Sequence, residues 1–309
     1  MPIQSARRLA AAAALSLLAL TACTASGEPP ARQSSASSAP AEASTAAATA
    51  EREFGELEQR FDARLGVYAV DTGTGREISH RADARFAYCS TFKALATAAL
   101  LSERTIAELD EVVVPYTVDD LVTFSPVTEK HAGAGLPLRE LMDAAVRYSD
   151  NTAGNLLLRE LGGPKGLQAA LREVGDQTTH VDRFEPELNE ATPGDIRDTS
   201  TPRALATTLR AYALGDTLTA DKRAILIDML RRNLTGDELV RAGVPDGWVV
   251  GDKTGTGGYG TRNDIAVVWP PDRAPIVIAI MSSRAEQEAE PDNALLAEAT
   301  KTVVEALRS

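Results

Sequence analysis

Strand-like patterns occur near both ends of this sequence, and the long segment between them is helical in pattern. Two runs at residues 66–70 and 76–81 flank a turn rich in Gly and Thr, which is a hairpin signal. Strand patterns return only at residues 248–252, 264–269 and 276–282. Short turns between neighbouring strands favour antiparallel pairing. We therefore expect an α+β fold, in which an antiparallel sheet built from both chain ends is flanked by helices and an all-α domain is inserted.

Helical periodicity fills the sequence between the two groups of strand patterns. One segment begins with Thr201 as its N-cap and Pro202 at its first position. A cleft between the helical domain and the sheet is the expected place for a functional site. The clearest helical segments are residues 92–101, 138–147, 155–161 and 202–213.

One further helix is expected at each end of the folded chain. Residues 54–65 carry the apolar stripe of a first helix, and residues 292–307 carry that of a last one. We therefore expect one domain over residues 53–309. Its α/β part covers about residues 53–86 and 233–309, and its helical part covers about residues 87–232.

The first 22 residues are typical of a signal peptide. Arg7 and Arg8 precede an apolar run over residues 9–20, which is too short to span a bilayer. The run ends in Leu-Thr-Ala-Cys, which resembles a bacterial lipoprotein box, where Cys23 becomes the lipidated first residue of the mature chain. The alternative is an ordinary secretory signal with a chance cysteine. The arginine pair is only a weak match to the twin-arginine export signal.

Residues 23–52 are dominated by Ala, Ser, Thr, Pro and Glu. Such a segment has too little apolar surface to offset the entropy lost on ordering. We expect a disordered tether over residues 23–52, followed by the folded domain from near Glu53. The protein is therefore expected to be exported and held by its lipid anchor on the outer face of the cytoplasmic membrane, or released from it.

The acidic composition excludes several classes of function. With 32 basic and 44 acidic side chains, the formal charge of −12 is opposite to what a nucleic-acid binder needs. The sequence has no run of 18 apolar residues, so membrane contact is expected only through the lipid anchor. His80, His131 and His180 lack the spacing of metal ligands, and two cysteines cannot form a disulfide scaffold. We expect a monomer without metal or cofactor.

The first motif with chemical meaning is Ser90-Thr91-Phe92-Lys93. Residues three apart share a helix face, so the Ser90 hydroxyl and the Lys93 amine can touch. Free N–H groups at the start of a helix favour negative charge developing near Ser90. Burial of Lys93 in an apolar helix would lower its pKa and let it act as a base. Alone the motif is weak, because a chain of this length contains roughly one Ser-x-x-Lys by chance.

The second motif is Ser149-Asp150-Asn151, which ends one helical segment and precedes another. Alone it is typical of an N-cap cluster, because short polar side chains satisfy the free N–H groups of a helix start.

The third motif, Lys253-Thr254-Gly255, lies on an expected strand. Thr254 and Thr256 share one face of that strand, and the glycines that follow allow another backbone to approach closely. Arg262 returns across the hairpin, where its guanidinium can bind a carboxylate.

The three motifs in this order resemble the signature of the class A serine β-lactamases. At average composition, the chance of all three in order is about 10⁻² or less. A fourth element, residues 183–189 with Asp198 beyond, resembles the Ω-loop of that family. The resemblance covers about residues 53–309 and implies the fold of serine β-lactamases and penicillin-binding proteins. It also implies hydrolysis of penicillins and cephalosporins through a covalent acyl-serine, which gives antibiotic resistance.

The resemblance assigns catalytic roles. Ser90 is implied to be the nucleophile, with Lys93 and Glu185 as alternative bases for its acylation. Ser149 is implied to relay a proton to the departing lactam nitrogen. Glu185 and Asn189 are implied to hold and activate the water that hydrolyses the acyl-enzyme.

The resemblance also assigns substrate contacts. The backbone N–H groups of Ser90 and Thr256 are implied to form the oxyanion hole. Asn151 is implied to bind the acylamino side chain, and Phe124 to form an apolar wall. The substrate carboxylate is implied to lie against the third motif and its partner across the hairpin: Lys253, Thr254, Gly255, Thr256 and Arg262.

Three further features concern the loop and the thiol. Arg183 and Asp198 are expected to close the Ω-loop as an ion pair, since compact loops of this kind have ends that meet. The peptide bond from Glu185 to Pro186 is implied to be cis. Cys89 is expected to be a small buried residue rather than a reactive thiol. Some carbapenem-hydrolysing relatives bridge this position, but the partner position here is Gly257.

Two other functions use the same acylation machinery. One is a penicillin-binding D,D-peptidase, and the other is a lipid-anchored β-lactam sensor that is acylated without turnover. Glu185 and Asn189 favour hydrolysis over both, because fast release needs a positioned base and a water. Preference among penicillins, cephalosporins and carbapenems depends on the shape of the pocket rather than on these motifs.

Overall fold

Within residues 39–308, which the computed structural model describes, ten helices and nine strands form the regular structure, joined by loops and short 3-10 turns. Side chains are described from residue 45 onward. The helices are α1 (Ala39–Phe61), α2 (Phe92–Glu103), α3 (Ile106–Glu111), α4 (Leu138–Arg147), α5 (Asn151–Glu160), α6 (Pro164–Glu173), α7 (Pro202–Ala213), α8 (Ala220–Arg231), α9 (Val240–Gly243) and α10 (Asn293–Arg308). The strands are β1 (Arg64–Asp71), β2 (Glu77–His80), β3 (Phe86–Ala87), β4 (Val113–Val114), β5 (Leu136–Pro137), β6 (Thr199–Ser200), β7 (Val249–Gly257), β8 (Thr261–Trp269) and β9 (Ile276–Ser283).

The five longest strands form one antiparallel sheet in the order β2-β1-β9-β8-β7. The central pair joins the two ends of the chain: β1 and β9 run from Arg64 opposite Ser283 to Asp71 opposite Ile276. The other strands form two short pairs, β3 with β6 and β4 with β5. The expected fold, an antiparallel sheet built from both chain ends with helices inserted between, is confirmed.

Helices cover both faces of the sheet, which is why its central strands are almost wholly apolar. On one face, Phe54 of α1 and Val303 of α10 are buried against Leu65 and Ile278. On the other face, α7 lies across β1, β8 and β9, and the helical block packs beyond it. Each face therefore has its own apolar core, and the three sequence motifs lie where the helical block meets β7 and β8.

Two helices have the bounds that their apolar periodicity predicts, α4 and α7. The expected cap of α7 is present, because the Thr201 hydroxyl oxygen accepts a hydrogen bond from the Ala204 N–H at 3.2 Å. Helix α5 begins earlier than the expected residue 155. Asp150 caps it, accepting from the Ala153 N–H at 2.8 Å, so the polar residues after Asp150 are already helical.

The start of the folded chain differs from the expectation. Residues 39–52, expected to belong to a disordered tether, lie in α1, and the compact unit begins at Ala39. Alanine is the strongest helix former, and Ala50 is buried beside Phe54 in the core that includes α10, so this segment has both a local and a packing reason to be helical.

The signal peptide, Cys23 and the remainder of the expected tether lie outside the described residues. From residue 39 to residue 308, no helix combines the length and apolar character needed to cross a membrane.

Candidate active site

Ser90 lies in a 3-10 turn, Cys89–Thr91, that leads directly into α2. The sheet holds this turn in place. Asn263 on β8 donates through Nδ2 to the carbonyl oxygens of Ala87 at 2.8 Å and Tyr88 at 3.1 Å. Ser90 is only 7 % exposed and lies where the helical block meets the sheet.

Lys93 approaches Ser90 from one turn further along the chain. Its Nζ donates to Ser90 Oγ at 2.8 Å, to the Ser149 carbonyl at 2.8 Å and to Asn151 Oδ1 at 2.6 Å. The side chain is fully buried. Burial lowers the pKa of Lys93, while the Glu185 carboxylate, 3.0 Å from Nζ, acts in the opposite direction. The expected contact between Ser90 and Lys93 is therefore present.

Glu185 joins this pair from the Ω-loop, residues 183–198. Its Oε1 accepts from Ser90 Oγ at 3.1 Å, and its Oε2 accepts from Asn189 Nδ2. The carboxylate is 2 % exposed, and the peptide bond to Pro186 is cis. One buried carboxylate thus contacts a serine hydroxyl, a lysine amine and a side-chain amide.

Asn155 on α5 holds Glu185 by its backbone. Its Oδ1 accepts from the Glu185 N–H at 2.8 Å, and its Nδ2 donates to the Glu185 carbonyl at 2.9 Å. Sequence reasoning missed this residue. The available signal was its spacing, because a second buried asparagine four residues after Asn151 lies on the same helix face.

Ser149 and Lys253 bring the second and third motifs together. Lys253 Nζ donates to Ser149 Oγ at 3.0 Å and to the Thr254 carbonyl at 2.9 Å. Burial, together with the nearby charge of Lys93, lowers the pKa of Lys253 to about 7. Ser149 has a left-handed backbone, φ 58°, at the end of α4. Its hydroxyl thereby contacts β7 while its carbonyl accepts from Lys93.

Asn151 and Phe124 lie at the rim of the helical side of the cleft. Asn151 donates through Nδ2 to the Thr123 carbonyl at 2.8 Å and through its backbone N–H to the Phe124 carbonyl at 2.9 Å. The Phe124 residue is 58 % exposed and has a left-handed backbone, φ 64°. An apolar ring therefore lies at the surface next to the buried polar groups.

The hydroxyl groups of β7 are fixed by neighbouring side chains. Thr254 and Thr235 share a hydrogen bond of 2.6 Å between their hydroxyls. Thr256 is exposed and accepts from Arg262 Nη1 at 2.6 Å, directly across the strand pair. Arg262 Nε also donates to Asn293 Oδ1 at 2.7 Å. The predicted position of Arg262 is confirmed, whereas Thr235, on the loop after α8, carried no recognisable motif.

Two glycines let β7 lie directly against the turn that carries Ser90. A Cβ on Gly255 would lie 2.7 Å from the Tyr88 carbonyl oxygen, and one on Gly257 would lie 2.6 Å from Cys89 Sγ. Both distances are far below normal van der Waals contact. The predicted close approach of a second backbone is confirmed at both positions, since a Cβ on Gly257 would also lie 2.7 Å from the Asn189 carbonyl oxygen.

The Ω-loop is closed by the expected pair of residues. Arg183 Nε donates to Asp198 Oδ2 at 2.6 Å, and Asp198 is fully buried. Asp198 Oδ1 also accepts from the backbone N–H groups of Asp182 and Arg183, at 2.8 Å and 3.0 Å. The Tyr88 hydroxyl donates to the same oxygen at 3.2 Å. The base of the loop is thereby connected to the chain segment that leads into Ser90.

Cys89 is fully buried beside Ser90, and burial raises the pKa of its thiol far above the usual range. This favours the interpretation of Cys89 as a packing residue, since a thiol that stays protonated is a poor nucleophile. Within the described residues, no group of three or more His, Cys, Asp or Glu side chains is arranged to hold a metal ion.

Comparison with known proteins gives one consistent result. Residues 49–307 match the β-lactamase enzyme family. A β-lactamase of Bacillus amyloliquefaciens is 60 % identical over 257 residues, which is 83 % of this chain and 84 % of that protein. A halotolerant bacterial β-lactamase superposes with a TM-score of 0.82 at 58 % identity, covering 83 % of this chain and 99 % of its own. The class A β-lactamase of Clostridium kluyveri gives a TM-score of 0.83 at 49 % identity, covering 85 % and 100 %.

A buried serine that contacts both a lysine and a carboxylate, on this α+β fold, defines an active-site serine enzyme. The matches extend over nearly all of the described residues. The chain belongs to the β-lactamase enzyme family and, within it, to the class A β-lactamases.

Proposed function

We propose that this protein hydrolyses the β-lactam ring of penicillins and cephalosporins through an acyl-enzyme formed on Ser90. One observation carries the proposal: Ser90 Oγ lies 2.8 Å from Lys93 Nζ and 3.1 Å from Glu185 Oε1. The hydroxyl is thus within reach of a group that removes its proton and of a group that activates water. Such turnover destroys the antibiotic and confers resistance.

In the first step, Ser90 Oγ bonds to the lactam carbonyl carbon and the ring C–N bond breaks. The serine proton passes to Lys93 or to Glu185. Both side chains contact the Ser90 hydroxyl, and they also contact each other. The lowered pKa of Lys93 supports the lysine as an acceptor, because a neutral amine is a base. The departing nitrogen receives a proton through Ser149, and the hydrogen bond from Lys253 to the Ser149 hydroxyl supports that relay.

The oxygen of the attacked carbonyl is stabilised by the backbone N–H groups of Ser90 and Thr256. The tight packing of Gly255 against the turn supports this arrangement, because it holds β7 beside the nucleophile. Donors of this kind contribute about 3 kcal/mol each to transition-state stabilisation.

In the second step, Glu185 and Asn189 position a water molecule that attacks the acyl carbonyl, and Glu185 takes the water proton. The contact between Asn189 Nδ2 and Glu185 Oε2 supports a shared water site. Release of the product returns the proton to Ser90. This step separates a hydrolase from the two alternatives, a D,D-peptidase and a sensor, since neither needs a base on a loop opposite the serine.

Recognition of the substrate uses the two walls of the cleft. The carboxylate of the antibiotic is bound by Lys253, by the hydroxyls of Thr254 and Thr256, and by the charge of Arg262, which already contacts Thr256. On the opposite wall, the acylamino group of the antibiotic hydrogen-bonds to the side chain of Asn151. The exposed ring of Phe124 covers the apolar part of the substrate.

A trapping experiment tests the assignment of the deacylating base. Purified Glu185→Ala protein is mixed with a penicillin, and intact-protein mass spectrometry is used to follow a stable penicilloyl adduct. Glu187→Ala is the matched control, because Glu187 is an exposed carboxylate in the same loop. We expect the adduct to accumulate only in the Glu185 variant. Equally fast turnover in both variants would contradict the assignment.

Steady-state kinetics test the activity itself. Hydrolysis of one penicillin, two cephalosporins and one carbapenem is measured with the purified protein. Stoichiometric acylation without turnover of any of the four would favour a D,D-peptidase or a sensor over a hydrolase.

We also propose that the protein is exported and that Cys23 carries a lipid anchor. The support is the sequence before it, an apolar run that ends in Leu-Thr-Ala-Cys. Two or more acyl chains hold a protein stably on a membrane, whereas one gives only marginal binding. We expect a Cys23→Ser variant to appear in the culture medium, and an unchanged membrane fraction would contradict anchoring at this residue.

A further inference from the structure

A groove of about 1000 Å³ lies on the outer side of the Ω-loop. One wall is formed by residues 191–197 of the loop, and the other by the end of α1 with the adjoining ends of β1 and β9. None of the groups that surround the Ser90 hydroxyl lines it, so it is separate from the catalytic cleft. We call it the arginine groove, after six of its lining residues: Arg64, Arg81, Arg85, Arg183, Arg197 and Arg284.

The lining of this groove contains more basic than acidic residues, unlike the chain as a whole. Three acidic residues, Glu58, Asp62 and Asp195, face the six arginines, and carboxylates outside the lining pair with Arg183 and Arg284. Arginines that are left without an ion pair are the ones that would attract an anion.

Two of the six arginines make no ion pair with any carboxylate among residues 45–308. The others do: Arg81 with Glu58, Arg183 with Asp198, Arg197 with Asp195 and Arg284 with Asp292. The two exceptions are Arg64 and Arg85, which are neighbours in the groove.

Both of these side chains are held by hydrogen bonds or a ring contact rather than by an ion pair. The Arg64 guanidinium lies 3.9 Å over the Phe86 ring, and its Nη1 donates to the Arg85 carbonyl at 2.8 Å. Arg85 donates through Nη2 to the Thr178 carbonyl at 2.9 Å and through Nη1 to the Thr199 hydroxyl at 3.1 Å, which leaves one further N–H on Nη2. Burial and the nearby charge of Arg81 lower the pKa of Arg64, and the charge of Glu58 offsets part of this effect. A bound anion would relieve that repulsion, and the fixed geometry reduces the entropy lost on binding.

We propose that the arginine groove binds an anion of the phosphate class, with Arg64 and Arg85 contacting its oxygens. A phosphate group carries nearly two charges and three strong acceptor oxygens, so it can satisfy several guanidinium groups at once. A monocarboxylate supplies one charge and fits fewer donors. The groove also has the volume of a site for an organic ligand rather than for a bare ion alone, which admits phosphate esters.

Binding of inorganic pyrophosphate by isothermal titration calorimetry at low salt is the primary test. We expect saturable binding of one ligand per protein. Arg64→Gln and Arg85→Gln should each weaken it at least about tenfold, the worth of one charged hydrogen bond. Lys301→Gln is the matched control, because it removes one exposed positive charge on α10, outside the groove, and should leave the dissociation constant unchanged.

A gain-of-affinity variant keeps the test independent of folding defects. Asp62 lines the groove with a left-handed backbone, φ 47°, a conformation that asparagine adopts readily, so Asp62→Asn removes one negative charge without strain. We expect tighter binding of pyrophosphate by this variant. Turnover of a chromogenic cephalosporin reports that each variant is folded, since none of these residues contacts the catalytic groups.

A second arm identifies the source of the phosphate group. Co-sedimentation with phosphatidylglycerol vesicles, compared with neutral phosphatidylcholine vesicles, tests a lipid headgroup. The proposal is supported if the protein binds either pyrophosphate or phosphatidylglycerol vesicles and if this binding is lost in the Arg64→Gln and Arg85→Gln variants. Binding in neither arm would overturn it, as would binding that the Arg64, Arg85 and Lys301 variants reduce equally.

Discussion

Asn155 holds Glu185 through both polar groups of its backbone, accepting from the N–H at 2.8 Å and donating to the carbonyl at 2.9 Å. Both residues are buried, so removal of the amide leaves a backbone N–H and a carbonyl away from bulk solvent without their partners. The position of the carboxylate that faces Ser90 therefore depends on a residue of α5 that touches neither the serine nor the lysine.

Replacement of Asn155 by alanine should slow deacylation more than acylation. The backbone N–H and carbonyl of Glu185 would lose their partners, at a cost of about 1–3 kcal/mol for each buried group, and the loop would relax away from the serine. We expect a rapid burst followed by slow turnover, measured by stopped-flow hydrolysis and mass spectrometry of the intact protein. Gln168→Ala is the control, since Gln168 accepts from the Val181 N–H at 3.0 Å but does not touch Glu185. A burst in both variants would argue against a specific role.

Loss of the Asp198 carboxylate should destabilise the protein strongly. Asp198 is fully buried and accepts from the Arg183 side chain at 2.6 Å, from two backbone N–H groups and from the Tyr88 hydroxyl. Asp198→Ala leaves these donors unpaired, so we expect a loss of about 3–5 kcal/mol in the free energy of unfolding. Chemical denaturation measures it. Asp195→Ala, which breaks an exposed pair with Arg197 in the same loop, should have a small effect. Similar losses in both variants would contradict this account.

The pH dependence of substrate binding should follow Lys253. Its pKa of about 7, against an ordinary value of 10.5, means that the ammonium loses its proton as pH rises through 7. The attraction for the substrate carboxylate is then lost, so KM should rise and kcat/KM should fall on the alkaline side. The arginine of a Lys253→Arg variant keeps its charge at every accessible pH, so the alkaline fall in kcat/KM should move to higher pH. An unchanged alkaline limb in the variant would assign it to another group.

The same lowered pKa has a consequence for stability. Between pH 7 and 10.5 the unfolded chain keeps the Lys253 proton that the folded protein has released. The unfolded state then binds more protons, so this residue makes the free energy of unfolding rise with pH across that window.

Two glycine substitutions should have opposite effects. Alanine at Gly255 would place Cβ 2.7 Å from the Tyr88 carbonyl, forcing the turn that carries Ser90 to move. We expect a loss of about 1–3 kcal/mol in stability and a large fall in kcat/KM. Gly55 lies in α1 with no atom within 4 Å of a new Cβ, so Gly55→Ala should stabilise by about 0.5–1 kcal/mol. Thermal unfolding and steady-state kinetics measure both, and an active, stable Gly255→Ala variant would contradict the close packing.

The sequence predicts the sheet, the bounds of α4 and α7, and the meeting of Ser90 with Lys93, because periodicity and short spacing are local signals. It misses residues 39–52 of α1, whose helix depends on packing against distant parts of the chain.

In the site, the sequence misses Asn155, Thr235 and Asn263. Asn155 and Asn263 hydrogen-bond to backbone groups, and Thr235 hydrogen-bonds to another hydroxyl. These partners are far away in sequence, so no short motif contains both members of a pair. For Asn155 the signal was its spacing from Asn151 on one helix face, and for Asn263 it was a polar side chain inside an apolar strand.

The pairing of β1 with β9 sets the order of events when the chain folds. β1 is among the first elements made and β9 is among the last, so the middle of the sheet closes only over a very long loop, which is a slow, high-contact-order step. Strands β7 and β8, which hold the turn that carries Ser90, also come late. A nascent chain that contains Ser90, Lys93 and Glu185 but not yet β7 and β8 lacks the contacts that hold the Ser90 turn. We therefore expect catalytic competence to appear only after the final strands have been made.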